Sequence, residues 1–442
     1  MSWTGGVAMV LISSLTADTD LLLVILGGVI LIGFLAEVIF YRYRLPENLG
    51  LMLVGILIGP VAHIINPFQV EILRGLAPFF GAVALSVIVL GGSLSLNFSS
   101  FSGGGRGVLM ATLDTLLSIA FVTPLFHFLF GWPVLISALL GAMLGETTAT
   151  IVIPVSQRLG LSQGALNSMV IDSTFNSVTC IVAFYILFDV LVQQGAGGSM
   201  LTLSAVTKYL LELVSTGVFI GAATGILWIS VLERLGDISH SYIVTVAVAI
   251  ALYALVDTLG GSAVLAVLVF GLVLANHALL FGILGKQSRV NLGELTTFKD
   301  EITFFVRTFF YVYVGVLVSL SAQAALVGAM LALFLLVPRI LAVEISVKGS
   351  EELSANRRLL VSLYPRGLTV AVLAGTLIAS VPQGSQLFQY ASGIFDYSFM
   401  TILLTSAISA VLVAREYRRR TNEDLYELIR RLRKERQRLE KW

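Results

Sequence analysis

The chain has 442 residues, 57% of them hydrophobic and 12% charged, with a formal net charge of +1. Soluble domains carry about 25% charged residues, so this composition and a mean hydropathy of +0.95 exclude a soluble globular protein, and no nucleic acid is expected as a partner. There is one cysteine, Cys180; one thiol builds no disulfide framework within a chain and says little about compartment.

Apolar runs of about 20 residues recur along almost the whole length, which is the signature of transmembrane helices. A transmembrane barrel would show ten-residue alternating segments instead. Met1 to Leu15 carry no basic region and no clear small-residue cleavage site, so no cleaved signal peptide is expected. The runs place about thirteen spans, at residues 21–40, 48–66, 76–96, 107–131, 133–157, 164–191, 209–232, 241–258, 262–284, 302–321, 323–345, 359–382 and 396–414. The expected fold is an all-α polytopic membrane protein, with a transmembrane domain over residues 1–414 and a cytoplasmic, charged helical tail over 415–442.

The basic residues orient it. With the first span entering from outside, Arg42, Arg44, Arg106, Arg158, Arg234, Lys286, Arg289, Lys299, Lys348, Arg357 and Arg358 fall in cytoplasmic loops, and only Arg74 and Lys208 in outer ones. The positive-inside rule then gives an outside N-terminus, a cytoplasmic C-terminus and an odd number of spans. The uncharged segment Gln193–Thr207 is expected outside, between two halves. In the tail, Leu425, Leu428, Ile429, Leu432 and Leu439 recur at helical spacing among Arg, Lys and Glu. Glu427 and Arg431 form a favourable i,i+4 pair. This reads as a solvated helix or short coiled coil, or as an amphipathic helix on anionic headgroups.

Two spans are interrupted. The fifth carries Gly145-Glu146-Thr147-Thr148 and later Pro154; the twelfth carries Tyr364-Pro365-Arg366-Gly367-Leu368-Thr369. Proline removes a backbone donor and glycine loosens the helix, so both are expected to unwind at mid-depth. Interrupted spans in corresponding positions of two halves point to a transporter site between inverted repeats, although the repeat is not visible as residue identity.

A carboxylate at bilayer depth costs roughly 2.5–3.5 kcal/mol on insertion scales. Glu146 lies at the first interruption, and Asp172-Ser173-Thr174-Phe175-Asn176-Ser177 follows in the next span. Asp172 and Asn176, and likewise Ser173 and Ser177, are four apart and form adjacent stripes on one helix. With Thr147, Thr148 and freed carbonyls they offer the oxygen ligands a hard monovalent cation needs. A partly dehydrated carboxylate holds either a proton or a metal ion, and that competition suffices for proton-coupled cation exchange. The alternative for Thr147, Ser173 and Ser177 is hydrogen bonding between helices or back to carbonyls, and Asn176 has the option of fixing the unwound span. Glu37, Asp114, Glu212 and Asp257 lie within or near spans; Asp114 is deep enough to serve as a second proton carrier. Arg307, Arg339 and Arg366 are the arginines within spans. None can deprotonate, so each requires a carboxylate or several carbonyls. The four histidines, His63, His127, His240 and His277, stand beside no candidate nucleophile in mid-span, which argues against an intramembrane enzyme. No cofactor is expected.

Over residues 20–414 the chain resembles the cation/proton antiporter superfamily, on the NhaP-like branch of sodium/proton antiporters and exchangers. The sixth-span motif of that family, Glu-Ser-x-x-Asn-Asp, stands here as Asp172 to Ser177, and the threonine of its Thr-Asp-Pro matches Thr147. Arg339-Ile340-Leu341-Ala342-Val343 and Arg366-Gly367 resemble its eleventh- and twelfth-span motifs. Leu45-Pro46-Glu47-Asn48-Leu49, Gly55 to Pro60 and Phe304 to Gly315 resemble its second and tenth spans. The departures are specific: the family's ion-binding aspartate is Ser177, the aspartate of Thr-Asp-Pro is Thr148, and the third-span acid is absent from Leu90-Gly91-Gly92-Ser93. The resemblance implies two inverted-topology repeats with crossing helices, a homodimer with a core moving against a dimerisation domain, and exchange of protons for Na⁺ or K⁺ across the cell membrane. It also implies an ion pair between Asp172 and Arg339. Glu146 is then expected to supply the titratable carboxylate that Ser177 lacks, giving one proton per cation. The competing expectation is a related carrier that has lost proton coupling or moves another solute.

Overall fold

The computed structural model describes residues 47–64, 67–94, 105–158, 161–195, 203–235, 241–283, 293–381 and 386–439, with parts of 27–39. Much of the first span, Leu45-Pro46, residues 196–202 of the Gln193–Thr207 segment and the side chains of the tail beyond 419 lie outside the described residues. Every regular element among those described is helical.

In chain order these are α1 (Glu47–Ile56, continuing as a π-helical turn over Leu57–Val61), α2 (Pro67–Leu94), α3 (Gly105–Phe130), α4 (Val134–Leu144), α5 (Ala149–Arg158), α6 (Gln163–Gly195), α7 (Leu203–Leu235), α8 (Ser241–Thr258) and α9 (Ala263–Ala275). There follow α10 (His277–Ile283), α11 (Gly293–Leu317), α12 (Ala322–Phe334), α13 (Leu336–Val347), α14 (Glu351–Ala355), α15 (Arg357–Ser362), α16 (Leu368–Ser380) and α17 (Gln386–Leu439). Among the described residues, five stretches are long and apolar enough to cross a membrane: Gly105–Phe130, Gly164–Val192, Val214–Arg234, Ala322–Val347 and Leu387–Arg419.

Both expected interruptions are present. The fifth span is α4 and α5 with Gly145 to Thr148 unwound between them, and the twelfth is α15 and α16 with Leu363 to Gly367 unwound. Pro365 lacks an N–H and disfavours helical geometry at Tyr364, which sets the second break. Pro338, by contrast, lies in the first turn of α13, where helix N–H groups have no intrahelical partner, so the eleventh span resumes immediately after Leu335.

Helix α3 packs on α4, α6 and α13, and α6 packs on α4 and α5. Helix α16 lies between α2 and α17, while α7 pairs with α9 and α1 with α11. The α1–α11 contact is made by small residues: a Cβ on Gly55 would meet Val312 O at 2.3 Å, and one on Gly315 would meet Met52 O at 2.6 Å. Backbones that approach this closely pack without a hydrophobic drive between helices. An apolar cluster of Met110, Val152, Met169, Val343, Leu359 and Leu360 joins α3, α5, α6, α13 and α15.

The connection between α13 and α15 is tied to two other helices. Arg106, at the start of α3, donates to Ser346 O at 3.0 Å, to Gly349 O at 2.9 Å and to Lys348 O. Gly349 has φ +73°, the left-handed region that favours glycine. Glu352 on α14 accepts from the Gly164 N–H at 2.9 Å, in the first turn of α6, where a carboxylate offsets unpaired donors. The hydroxyl of Ser162 also donates to it, and these bonds hold its carboxyl below the usual carboxylate range.

Candidate functional site

The two unwound segments cross and bond to each other. The Thr148 N–H donates to Pro365 O at 2.9 Å, and the Gly367 N–H donates to Glu146 Oε2 at 2.8 Å. A Cβ on Gly367 would lie 2.3 Å from both Cβ and Oγ1 of Thr148, so the crossing needs glycine here. The arrangement brings two kinds of helix end together. The positive N-terminal end of α16 meets the Glu146 carboxylate, and the negative C-terminal end of α4 meets Arg366.

Arg366 is fully buried. Its Nη1 donates to Gly145 O at 3.1 Å, to Glu146 O, and to Thr147 Oγ1 at 3.2 Å. These are main-chain and hydroxyl oxygens freed by the break. Its own N–H donates to Thr405 Oγ1 on α17 at 3.1 Å.

Behind the crossing lies a second guanidinium. Arg339 on α13 is fully buried; its Nη1 donates to Asp172 Oδ2 at 2.8 Å and to Asp114 Oδ2 at 3.2 Å. Nε and Nη2 donate to Leu360 O at 3.2 and 3.1 Å. Asp114 also accepts from Thr147 Oγ1 at 3.1 Å and stands 3.7 Å from Arg366 Nη1.

The candidate residues therefore divide. Glu146, Thr147, Thr148, Asp172, Ser173 and Asn176 are all buried, and Ser177 is partly exposed. The Ser177 hydroxyl faces Glu146 Oε1 at 3.4 Å and Thr369 on α16 also donates to that carboxylate. Ser173 turns its hydroxyl to Met169 O at 2.9 Å and Ser177 is also within 3.0 Å of Ser173 O on the same helix, so of that stripe Ser177 alone faces Glu146, sharing its hydroxyl with a carbonyl. Asp172 faces Arg339, while Asn176 Oδ1 accepts from Thr115 Oγ1 at 3.1 Å and from Cys180 Sγ at 3.2 Å. Thr148 caps α5, its carbonyl accepting from Val152 N–H at 3.2 Å. Arg307 stacks over the Phe304 ring. Sequence reasoning missed the centrality of Asp114 and the parts of Thr115 and Thr369; for Arg366 it left carboxylate and carbonyls open, and the structure shows carbonyls. A buried acid in α3 was visible, but nothing in helical spacing says which guanidinium it meets.

Three carboxylates and two guanidiniums thus share one buried site. Asp114 and Asp172 lie against arginine, whereas the Glu146 carboxylate accepts only from neutral donors. With all three carboxylates ionised, the site would carry one negative charge more than its arginines neutralise.

The family described as sodium/hydrogen exchanger, transmembrane, matches residues 25–414. The chain belongs to this family. It is 23% identical over 415 residues to Na⁺/H⁺ antiporter 1 of Methanocaldococcus jannaschii, covering 87% of this chain and 92% of that one. It is 25% identical over 330 residues to the Na⁺/H⁺ antiporter NhaH of Halobacillus dabanensis, covering 72% and 79%. It is also 25% identical over 375 residues to the K⁺/H⁺ antiporter NhaP2 of a Shewanella species, covering 82% and 61%. The solved structure of the sodium proton antiporter MjNhaP1 from M. jannaschii at pH 8 superposes with a TM-score of 0.76 at 20% identity, covering 90% of this chain and 99% of that one. Membership of the sodium/hydrogen exchanger family and the apolar helices make this a multi-pass membrane protein of the NhaP-like fold.

Proposed function

We propose that this chain is a secondary active transporter, and no enzyme, that exchanges protons for a monovalent cation, Na⁺ or K⁺, by alternating access across the cell membrane. The observation that carries the reading is the Glu146 carboxylate: buried, at the crossing of two unwound spans, and touched by no guanidinium. Arginine does not deprotonate, so the two guanidiniums stay charged and the uncompensated charge rests on Glu146. A proton and a cation compete for it, which makes one-for-one, electroneutral exchange the expected stoichiometry. Glu146, Thr147, Thr148, Asp172, Ser173, Asn176 and Ser177 form the ion and proton region, Asp172 and Arg339 its structural pair, and Arg366 the clamp on the crossing. In this reading residues 1–414 comprise a core and a dimerisation domain working as a homodimer, and 415–442 a cytoplasmic tail, with the N-terminus outside.

The test is proton flux in proteoliposomes under an imposed pH gradient, dissipated by added Na⁺ or K⁺, with wild type beside Glu146→Gln. Exchange by the wild type and none by the variant is expected; exchange at the normal rate in the variant sinks the assignment. A second reading, a carrier uncoupled from protons or specialised for another solute, rests on Ser177 standing where the family has its aspartate. A wild type that answers neither cation favours it.

A further inference from the structure

We infer that Asp114 is a positioning residue that serves as the fixed counter-charge of the site, neutralising Arg366 so that the exchangeable negative charge stays on Glu146. The inference rests on the exchange reading above and names a residue outside the resemblance to the family motifs.

Asp114 is fully buried in α3. One of its oxygens, Oδ2, gathers Thr147 Oγ1 at 3.1 Å, Arg339 Nη1 at 3.2 Å and Arg366 Nη1 at 3.7 Å. Among the described residues it is the only carboxylate within ion-pair distance of Arg366. Arg339 has Asp172 as a second partner at 2.8 Å; Arg366 has no second carboxylate. Its Nε and Nη2 are buried without a hydrogen-bond partner, so its charge is poorly met elsewhere. That charge also reaches the Glu146 carboxylate. Remove Asp114, and Arg366 becomes the counter-ion of Glu146, taking the place a transported cation would fill.

The same geometry argues against Asp114 as a proton carrier. Its Oδ2 faces three donors, and a proton there would displace them. The charged and titratable groups facing Asp114 are Arg339 from α13, Arg366 from the second break, Asp172 and Cys180 from α6, and Glu146 lies next to its partner Thr147.

The experiment measures apparent KM for Na⁺ or K⁺ against pH in proteoliposomes, for wild type, Asp114→Asn, Asp114→Glu, Asp114→Asn/Arg366→Gln and Glu146→Gln. Losing one nearby opposing charge is worth about one unit on the pH scale, or about tenfold in affinity. Asp114→Asn is expected to raise KM at least about tenfold at alkaline pH and to move half-maximal exchange towards acid. Asp114→Glu keeps the wild-type pH profile even where its rate falls. The double variant, which restores the charge count, is expected to return the pH of half-maximal exchange towards wild type even where loss of the Arg366 clamp lowers its rate. Should Asp114→Asn fail to fold, Asp114→Glu decides: a wild-type KM and pH profile at a lowered rate supports the counter-charge role, and a raised KM with the charge retained overturns it. Asp114→Asn with a reduced rate but unchanged KM and pH profile also overturns it, leaving a purely structural acid. Normal exchange by Glu146→Gln would instead sink the underlying assignment of Glu146.

Discussion

Arg366 meets Glu146 at its main-chain oxygen, not at its carboxylate. The guanidinium closes the carbonyl end of α4, and the side chain of the same glutamate is left to Gly367, Ser177 and Thr369. A single residue thus divides its contacts, main chain for the Arg366 clamp and carboxylate for the Gly367, Ser177 and Thr369 donors.

Arg366→Lys tests the first of these. Gly145 O, Thr147 Oγ1 and Asp114 are all met by the single atom Nη1, and a lysine ammonium, a compact and strongly hydrated point charge, ends one bond short of that position. Each hydrogen bond lost from a charged group costs about 1.5–3 kcal/mol. The exchange rate is expected to fall at least about tenfold, with lower thermal stability in detergent, although the charge is retained.

The crossing also depends on the absence of a side chain at Gly367. Gly367→Ala drives a methyl into Thr148, and overpacking of this kind costs about 1–3 kcal/mol. Thermal unfolding followed by size-exclusion fluorescence is expected to show the loss. Adding Thr148→Gly, which removes the opposing Cβ, recovers part of it; no recovery would mean that the two segments do not meet as described.

Ser177 stands within hydrogen-bond reach of Glu146, and this makes the two positions exchangeable. Glu146→Gln/Ser177→Asp moves the carboxylate from the break to α6 and is expected to restore exchange that Glu146→Gln alone abolishes. Ser177→Asp in the wild-type background places a second acid beside the first. Exchange then becomes sensitive to membrane voltage, because two charges move against one cation. Flux measured under valinomycin-clamped potentials reads both outcomes.

The Glu352 tie to α6 carries a pH prediction. Its carboxyl is held low by Ser162 and the N–H groups of Gly164 and Ala165. A lowered value means that the stabilisation is present above the ordinary carboxylate value and is lost only as pH falls through the lowered one. The tie is therefore intact throughout the neutral range. Glu352→Ala is expected to raise amide hydrogen exchange at residues 161–166 by the same factor at pH 6 and pH 8, and the difference from wild type to vanish only in strong acid.

Much of the architecture was legible because it rests on local chemistry. Proline and polar residues inside apolar runs marked both breaks, and the Asp172–Arg339 pair followed from the resemblance of their motifs. For Ser173 and Ser177 both ion ligation and bonding back to carbonyls were open, and both hydroxyls do meet carbonyls of their own helix, Ser177 while also facing Glu146. Asp114 was visible as a deep acid, but its role comes from α3, α13 and the second break meeting at one oxygen. That meeting is set by packing among distant segments, which periodicity within one helix does not encode. The same holds for Arg366, whose carbonyl partners exist only because another span unwinds opposite it.

Helix α17 runs without interruption from Gln386 to Leu439, a length of about 80 Å at 1.5 Å per residue. Partway along, Thr405 accepts from the Arg366 N–H and Ser409 donates to Ser362 O at 2.7 Å, so both sides of the second break are fastened to it. The segment beyond Ala414 thereby continues, within one helix, the element to which the second break is fastened.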